Sequence, residues 1–220
     1  MKKFVLIGAG GHAKSVVEAA ASAGYSLDCY IDPHESSWLG VFSSGLGKGL
    51  VTTKAAGANV PCGGLAWPDA RHISEDELRT GAVAGAAVVI LGIGGVNPAG
   101  LEKRLALLDT YLRDGMKAPP VQHAASSVSP RATLAEGAIV LAGAAVQAGA
   151  SIGRGVIINT RAIVEHDSTI GAGSHVAPGA IVLGGCRIGS CCMIGAGAVI
   201  LPGTTIADDS LVPAGTRYPS

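Results

Sequence analysis

In the stretch RAIVEHDSTIGAGSHVAPGA, residues 161–180, His166, Asp167 and His175 stand among side chains that are otherwise mostly small or aliphatic. Imidazole titrates near neutrality, so a histidine suits the task of taking a proton from an attacking amine or hydroxyl as a tetrahedral intermediate forms. A neighbouring carboxylate, Asp167 or Glu165, can orient such a ring. Asp also tolerates left-handed backbone, so Asp167 could equally be a corner residue and His166 an exposed corner histidine. A second constellation lies near the start of the chain. GAGGHAK, residues 8–14, follows the strand-like KKFVLIG and precedes Val16, Val17, Ala19 and Ala20 at helical spacing. Glycines there let the backbone approach an anion, and the helix N-terminus offers unpaired N–H groups. Gly8, Gly10 and Ala13 fit G-x-G-x-x-A, and Asp32 ends a second strand, SLDCYID. His12 can donate to a phosphate or a sugar hydroxyl. The pattern fits a nucleotide or nucleotide sugar, admits NAD, and as a bare motif is also compatible with a plain strand-to-helix turn.

The elements that would position these residues follow two grammars. From Val128, every sixth residue through Val212 is Val, Ile or Leu, with Val164, Ile170 and Val176 flanking the histidines. The residue four places after each is small almost throughout, as at Ala132, Ala138, Ala144, Ala150, Ala162 and Ser168. A period of six fits neither a helix nor an alternating strand; it predicts short strands joined by corners, one large and one small side chain pointing inward per side. Three sides give an 18-residue coil, and stacked coils give a solenoid of about five turns. The third residue after the aliphatic is Gly in ten hexads, as corners of positive φ require. His166 and Asp167 replace that corner's usual x-Gly pair, and so project from a rigid wall. His175 precedes the inward Val176 and is expected to face outward, half a coil from His166. Two such histidines could serve one site only across a subunit interface. Cys186 and Cys192 take the small inward position, while Cys191 takes a corner, with exposure expected.

Residues 1–120 alternate strand and helix, which predicts a small parallel α/β domain. AAVVILGIGG reads as a further buried strand, and Leu101, Leu105, Leu108 and Leu112 mark an amphipathic helix. Residues 34–66 show no usable period, and Ala118-Pro119-Pro120 reads as the connector to a second domain, 121–220. Net charge is zero, with 16 basic and 16 acidic residues among 220, so nothing marks the chain for nucleic acid or an anionic membrane. The longest apolar run, Ala82–Val96, is cut by glycines and falls short of a membrane span. Five cysteines without paired spacing read as reduced thiols of a cytoplasmic protein. No metal site is expected, because the hexads hold only two histidines and a β-helix zinc lyase would need three.

GAGGHAK, YID, and the hexads carrying INTRAIVEHDSTIG and SHVAPGA resemble the sialic-acid O-acetyltransferase-like sugar acetyltransferases, within the hexapeptide-repeat acyltransferases and closest to the bacterial nucleotide-aminosugar N-acetyltransferases. The resemblance implies a small Rossmann-like nucleotide-sugar-binding domain followed by a left-handed parallel β-helix, and a homotrimer with interfacial active sites. It implies acetyl transfer from acetyl-CoA to the amino group of a nucleotide-linked 4-amino-deoxy sugar by direct attack, with O-acetylation of a sialic-acid-like sugar as the alternative; the residues GAGGHA and Asp32 by themselves leave a NAD-dependent oxidoreductase as a more distant one. His166 would be the general base and Asp167 its orienting carboxylate. Gly10, Gly11, His12, Asp32 and Asn159 would contact the nucleotide sugar, and His175, Gly184 and Ala196 acetyl-CoA. The chain departs from such enzymes at its end, TRYPS, where they carry a further apolar tail.

Overall fold

The structure, a computed structural model, describes residues 1–32, 70–79 and 88–219. The unpatterned segment 34–66 lies outside the described residues. In the first half, strands β1 (Lys2–Ile7), β2 (Tyr25–Ile31), β3 (Arg71–His72) and β4 (Val89–Leu91) form one parallel sheet in the order β3-β2-β1-β4. The described residues of this half also form helices α1 (Gly11–Ser22), α2 (Glu75–Arg79) and α3 (Pro98–Arg113). The alternation of β1 decides the packing. Phe4 and Leu6 face α1 together with Val121, Ile139 and Leu141 of the second half, and Val5 and Ile7 face Leu78 of α2 and Leu108 and Tyr111 of α3. Because the chain builds β1, β2 and β3 in one direction and returns to β4 on the other side of β1, the carboxyl ends of β1 and β4 border a topological switch point, where open α/β sheets bind ligands.

The second half is the solenoid that the six-residue period requires. Two-residue strands run from β5 (Val121–Gln122) to β21 (Arg217–Tyr218) and pair in parallel with every third strand. The register advances by one 18-residue coil, Ile152 opposite Ile170 and Ile170 opposite Ile188. The inward aliphatics form a single continuous core with Ala138, Ala144, Ala150, Ala162 and Ala180. The ladder runs one hexad further at each end than the aliphatic series, through Gln122 and Tyr218, which the search for Val, Ile and Leu could not find. Corners are left-handed as expected, including the non-glycine residues Arg161 (φ 57°), Asp167 (φ 59°), Cys191 (φ 51°) and Asp209 (φ 56°).

Two of the buried small inward positions, Ser168 and Ser174, are polar for a reason visible inside the coil. Ser168 Oγ donates to Leu183 O (2.9 Å) and accepts from the N–H of Cys186 (3.0 Å). One side further along, Ser174 Oγ repeats this with Gly189 O (2.7 Å) and Cys192 N–H (2.9 Å). Each hydroxyl bridges two backbone groups that bond one another directly at corners with alanine inside, such as Ala180 N–H to Ala177 O (3.1 Å). Cys191 corrects the expectation of an exposed corner thiol: it is 5% exposed, and its Sγ lies against Gly173 where Leu105 of α3 also packs. Helix α3 lies along the corner column Gly137, Gly155, Gly173, Cys191. A Cβ on Gly155 would sit 3.0 Å from Leu108 and 3.4 Å from Leu105, so these corners are glycine for close approach as well as for φ.

The three outer faces differ. On the face of β5, β8 (Ile139–Val140), β11 (Ile157–Ile158), β14 (His175–Val176) and β17 (Met193–Ile194), the outward residues Val121, Ile139, Ile157 and His175 are buried. On the face of β7 (Thr133–Leu134), β10 (Ser151–Ile152), β13 (Thr169–Ile170), β16 (Arg187–Ile188) and β19 (Thr205–Ile206), the outward residues are polar and exposed. On the third face, β9 (Ala145–Val146), β12 (Ile163–Val164), β15 (Ile181–Val182) and β18 (Val199–Ile200) present Ala145, Ile163, Ile181 and Val199, an apolar stripe left only half-buried in the single chain.

Candidate active site

The corner after β12 holds the first constellation. The left-handed backbone at Asp167 turns its carboxylate back toward its neighbour, and Oδ2 lies 2.9 Å from His166 Nδ1. Nδ1 facing a carboxylate carries the proton and donates, so the lone pair of a neutral ring resides on Nε2. Both side chains are open to solvent in the single chain, at 65% and 74% exposure. Stacking of the coils makes room for the pair. Asp167 lies over Gly149 of the preceding coil, and a Cβ on Gly184 of the following coil would come within 2.7 Å of His166 Nε2. Glu165, the competing carboxylate, makes no described bond to His166.

The second constellation lies on the buried face. His175 is 6% exposed because the first half of its own chain covers it. Its Nδ1 donates to Gly95 O (2.7 Å), which leaves Nε2 to accept from Asn159 Nδ2 (2.9 Å). Asn159 Oδ1 in turn accepts from Thr160 N–H (2.7 Å). Burial, and then the Arg104 charge, lower the His175 pKa against the carbonyl of Gly95, which raises it. His12 stands beside it with ring centroids 6.3 Å apart. Burial first, then Arg104 and His175, push the His12 pKa down to about 4, so the ring is neutral at physiological pH. Its Nε2 is buried without a partner among the described residues.

His12 also belongs to the glycine turn. A Cβ on Gly8 would overlap Ile93, and Gly94 packs its Cα against the His12 ring, where a Cβ would sit 3.3 Å away. The turn after β1 and the turn after β4 thus interlock at the switch point. Gly10 and Gly11 border open space, and α1 starts at Gly10 with neither a side-chain cap nor an acidic residue in its first turn. Its N–H groups remain available to an anion. Asp32 follows β2 directly, at the same edge of the sheet.

The single chain therefore does not unite every residue expected at the site. Gly184 joins His166 and Asp167 at the corner after the apolar face, whereas Asn159, His175 and Ala196 lie at or beside the corner before it. His175 faces out of the prism, as its register requires, yet the covering domain and both occupied ring nitrogens were not foreseen. A signal existed: stepping back by 18 residues from His175 gives Ile157, Ile139 and Val121, an apolar column that only a covered face explains. Gly95 and Arg104 were not singled out, because a glycine in a loop and an arginine on a helix carry no such signal. Among the described residues no group of three His, Cys, Asp or Glu side chains could hold a metal, and no helix is long and apolar enough to cross a membrane.

Comparison with known proteins matches both grammars. Residues 3–56 match the PglD N-terminal domain, and residues 185–217 match the bacterial transferase hexapeptide family of six repeats. PerB from Caulobacter crescentus, solved with CoA and GDP-perosamine, superposes with a TM-score of 0.73 at 28% identity, over 99% of this chain and 88% of that one. The acetyltransferase domain of PglB from Neisseria gonorrhoeae, solved with acetyl coenzyme A, gives 0.73 at 29% identity over 97% and 89%. In both halves the chain is similar to hexapeptide-repeat acetyltransferases. No curated protein matches it in sequence. The small parallel sheet carries the PglD-like turn at its switch point, and the solenoid carries the His166 corner.

Proposed function

We propose that this chain is an acetyltransferase that moves the acetyl group of acetyl-CoA onto the amino group of a nucleotide-linked 4-amino-deoxy sugar. The observation that carries the reading is the His166–Asp167 pair, held on a left-handed corner with Nε2 over Gly184. The sugar amine attacks the thioester carbonyl carbon and gives its proton to His166 Nε2. The tetrahedral intermediate collapses with cleavage of the C–S bond, and the departing thiolate takes up the proton as CoA is released. No acyl-enzyme is required. The solenoid supports donor binding through its corners. The inter-coil ladder uses the N–H groups of Leu183 and Gly185, leaving that of Gly184 between them outside it, and Ala196 occupies the equivalent place between Gly195 and Gly197. These groups suit the thioester oxygen and the pantetheine amides. The open turn at Gly10 and Gly11, the α1 N-terminus, His12 and Asp32 would bind the nucleotide in a Rossmann-like manner, and Asn159 the sugar. PerB, whose structure contains GDP-perosamine and CoA, supports this substrate class.

A second copy of the chain completes the reading. The apolar stripe Ala145, Ile163, Ile181 and Val199 separates the His166–Gly184 corner from the Asn159–Ala196 corner by one full face. Packing that face against the face of another copy would bury it and bring one corner of each copy together. The assembly is then a cyclic homotrimer with one site per interface. Within its own chain His175 is committed to Gly95 and Asn159, so it acts on the sugar side of the site, through the Asn159 amide it orients. Substrate turnover by thiol release, measured across nucleotide-linked amino sugars and free sialic acids, tests the reading. Release with the former and none with the latter supports it; release only with sialic acids transfers the chemistry to a hydroxyl.

A further inference from the structure

Helix α3 buries one stripe, Leu101, Arg104, Leu108 and Tyr111, and its second member is a cation. Arg104 is 0% exposed, and no ion pair to it occurs among the described residues. Its Nε donates to Ile93 O (2.7 Å), its Nη1 donates to Gly155 O, and its Nη2 has no partner among the described residues. A wholly buried guanidinium without a carboxylate is costly, and an apolar side chain would suit this stripe better. Packing alone therefore does not account for an arginine here.

The two carbonyls it holds belong to different halves of the molecule. Ile93 lies in the turn after β4, and Gly155 is the solenoid corner before β11. Two residues beyond Ile93 is Gly95, whose carbonyl accepts from His175, whose other nitrogen holds Asn159. The turn contains Gly92, Gly94 and Gly95 and has little conformational preference of its own. If Gly95 O moved away, His175 would lose the acceptor that fixes its proton on Nδ1. With the proton on Nε2, that nitrogen would oppose the N–H of Asn159, and the amide would have to turn against its bond from Thr160 N–H.

We infer that Arg104 is a positioning residue for acetyl transfer: by tying Ile93 O to the Gly155 corner, it fixes Gly95 O, the tautomer of His175 and the direction of the Asn159 amide. The inference rests on the reading of Asn159 as a sugar contact, but its tautomer step does not. The test compares the full-length wild type with Arg104→Met, which removes the charge and fork at similar length, and Arg104→Lys, which keeps the charge without the fork. Imidazole ¹H–¹⁵N spectra, with the His175 signals assigned through His175→Gln, are expected to show one Nδ1–H form in the wild type and a mixture of neutral tautomers in both variants. Arg104→Met should melt no lower than the wild type, while KM for the amino-sugar nucleotide rises about tenfold or more and KM for acetyl-CoA stays unchanged. A single retained tautomer in Arg104→Met, unchanged KM for the sugar, or failure of both variants to fold would overturn the inference and leave Arg104 a structural residue. Should the wild type acetylate no nucleotide-linked amino sugar, the functional reading fails while the spectra still decide the role of Arg104.

Discussion

Replacing Asp167 by Gly should leave the enzyme at least as stable as before and much slower. Asp167 holds φ at 59°, a conformation that the equivalent corners at Gly149, Gly173 and Gly185 adopt without a side chain. A residue with a Cβ incurs about 1 kcal/mol there, toward the low end of the left-handed penalty because Asp tolerates the region. The bond to His166 that would be lost is solvent-exposed at both ends, so it contributes roughly 0–1 kcal/mol to folding. The net change is between about zero and 1 kcal/mol of stabilisation, which raises Tm by roughly 0–4 °C for a chain of this size. For catalysis the balance is reversed. Without the carboxylate the proton is no longer held on Nδ1, and molecules carrying it on Nε2 cannot accept one from the amine, so kcat should fall about 10²-fold. Thermal melts and thiol-release kinetics on the same samples check both halves. A variant that melts well below the wild type, or keeps its kcat, would refute the assignment of Asp167 as a catalytic-corner carboxylate placed at the expense of local strain.

Other perturbations read different parts of the structure. Gly184→Ala places a methyl group 2.7 Å from His166 Nε2 and should displace the ring, lowering kcat by at least tenfold with little change in Tm. Ser168→Ala removes the hydroxyl that bridges Leu183 O and Cys186 N–H inside the coil and should cost about 0.5–1.5 kcal/mol in denaturant melts, with kinetics retained by the folded fraction. The unfolded chain protonates His12 near pH 6.5 and the folded chain only near 4, so the contribution of that residue is complete above pH 6.5 and lost as pH falls toward 4. The loss amounts to up to roughly 3 kcal/mol, and His12→Gln should flatten the acid limb of stability against pH. Analytical ultracentrifugation of Ile181→Asp, with a charge on the uncovered apolar stripe, should show a smaller species than the wild type.

The solenoid was legible in the sequence because its repeat unit is local: each hexad states an inward aliphatic, a small partner and a corner, and Val164 or Ile194 needs no distant information to be placed. The His166–Asp167 corner was legible for the same reason, as a departure from a strict rule. Gln122 and Tyr218 escaped because the ends of a stack have one neighbour and relax the demand for an aliphatic. The partners of His175 escaped for another reason. Gly95 is 80 residues away in the chain, and its contribution is a carbonyl oxygen, which every residue type possesses. Arg104 sits at helical spacing with Leu101 and Leu108, yet an arginine in an apolar stripe is invisible to a search for apolar periodicity.

In the proposed reaction His166 is the base for acetyl transfer to a nucleotide-linked amino sugar. Thiol release from acetyl-CoA with such a sugar, comparing wild type with His166→Ala at equal folded concentration, tests it most directly. With His166 as the base, kcat falls about 10²–10⁴-fold in the variant while KM for both substrates stays nearly unchanged. Full turnover by His166→Ala would contradict it.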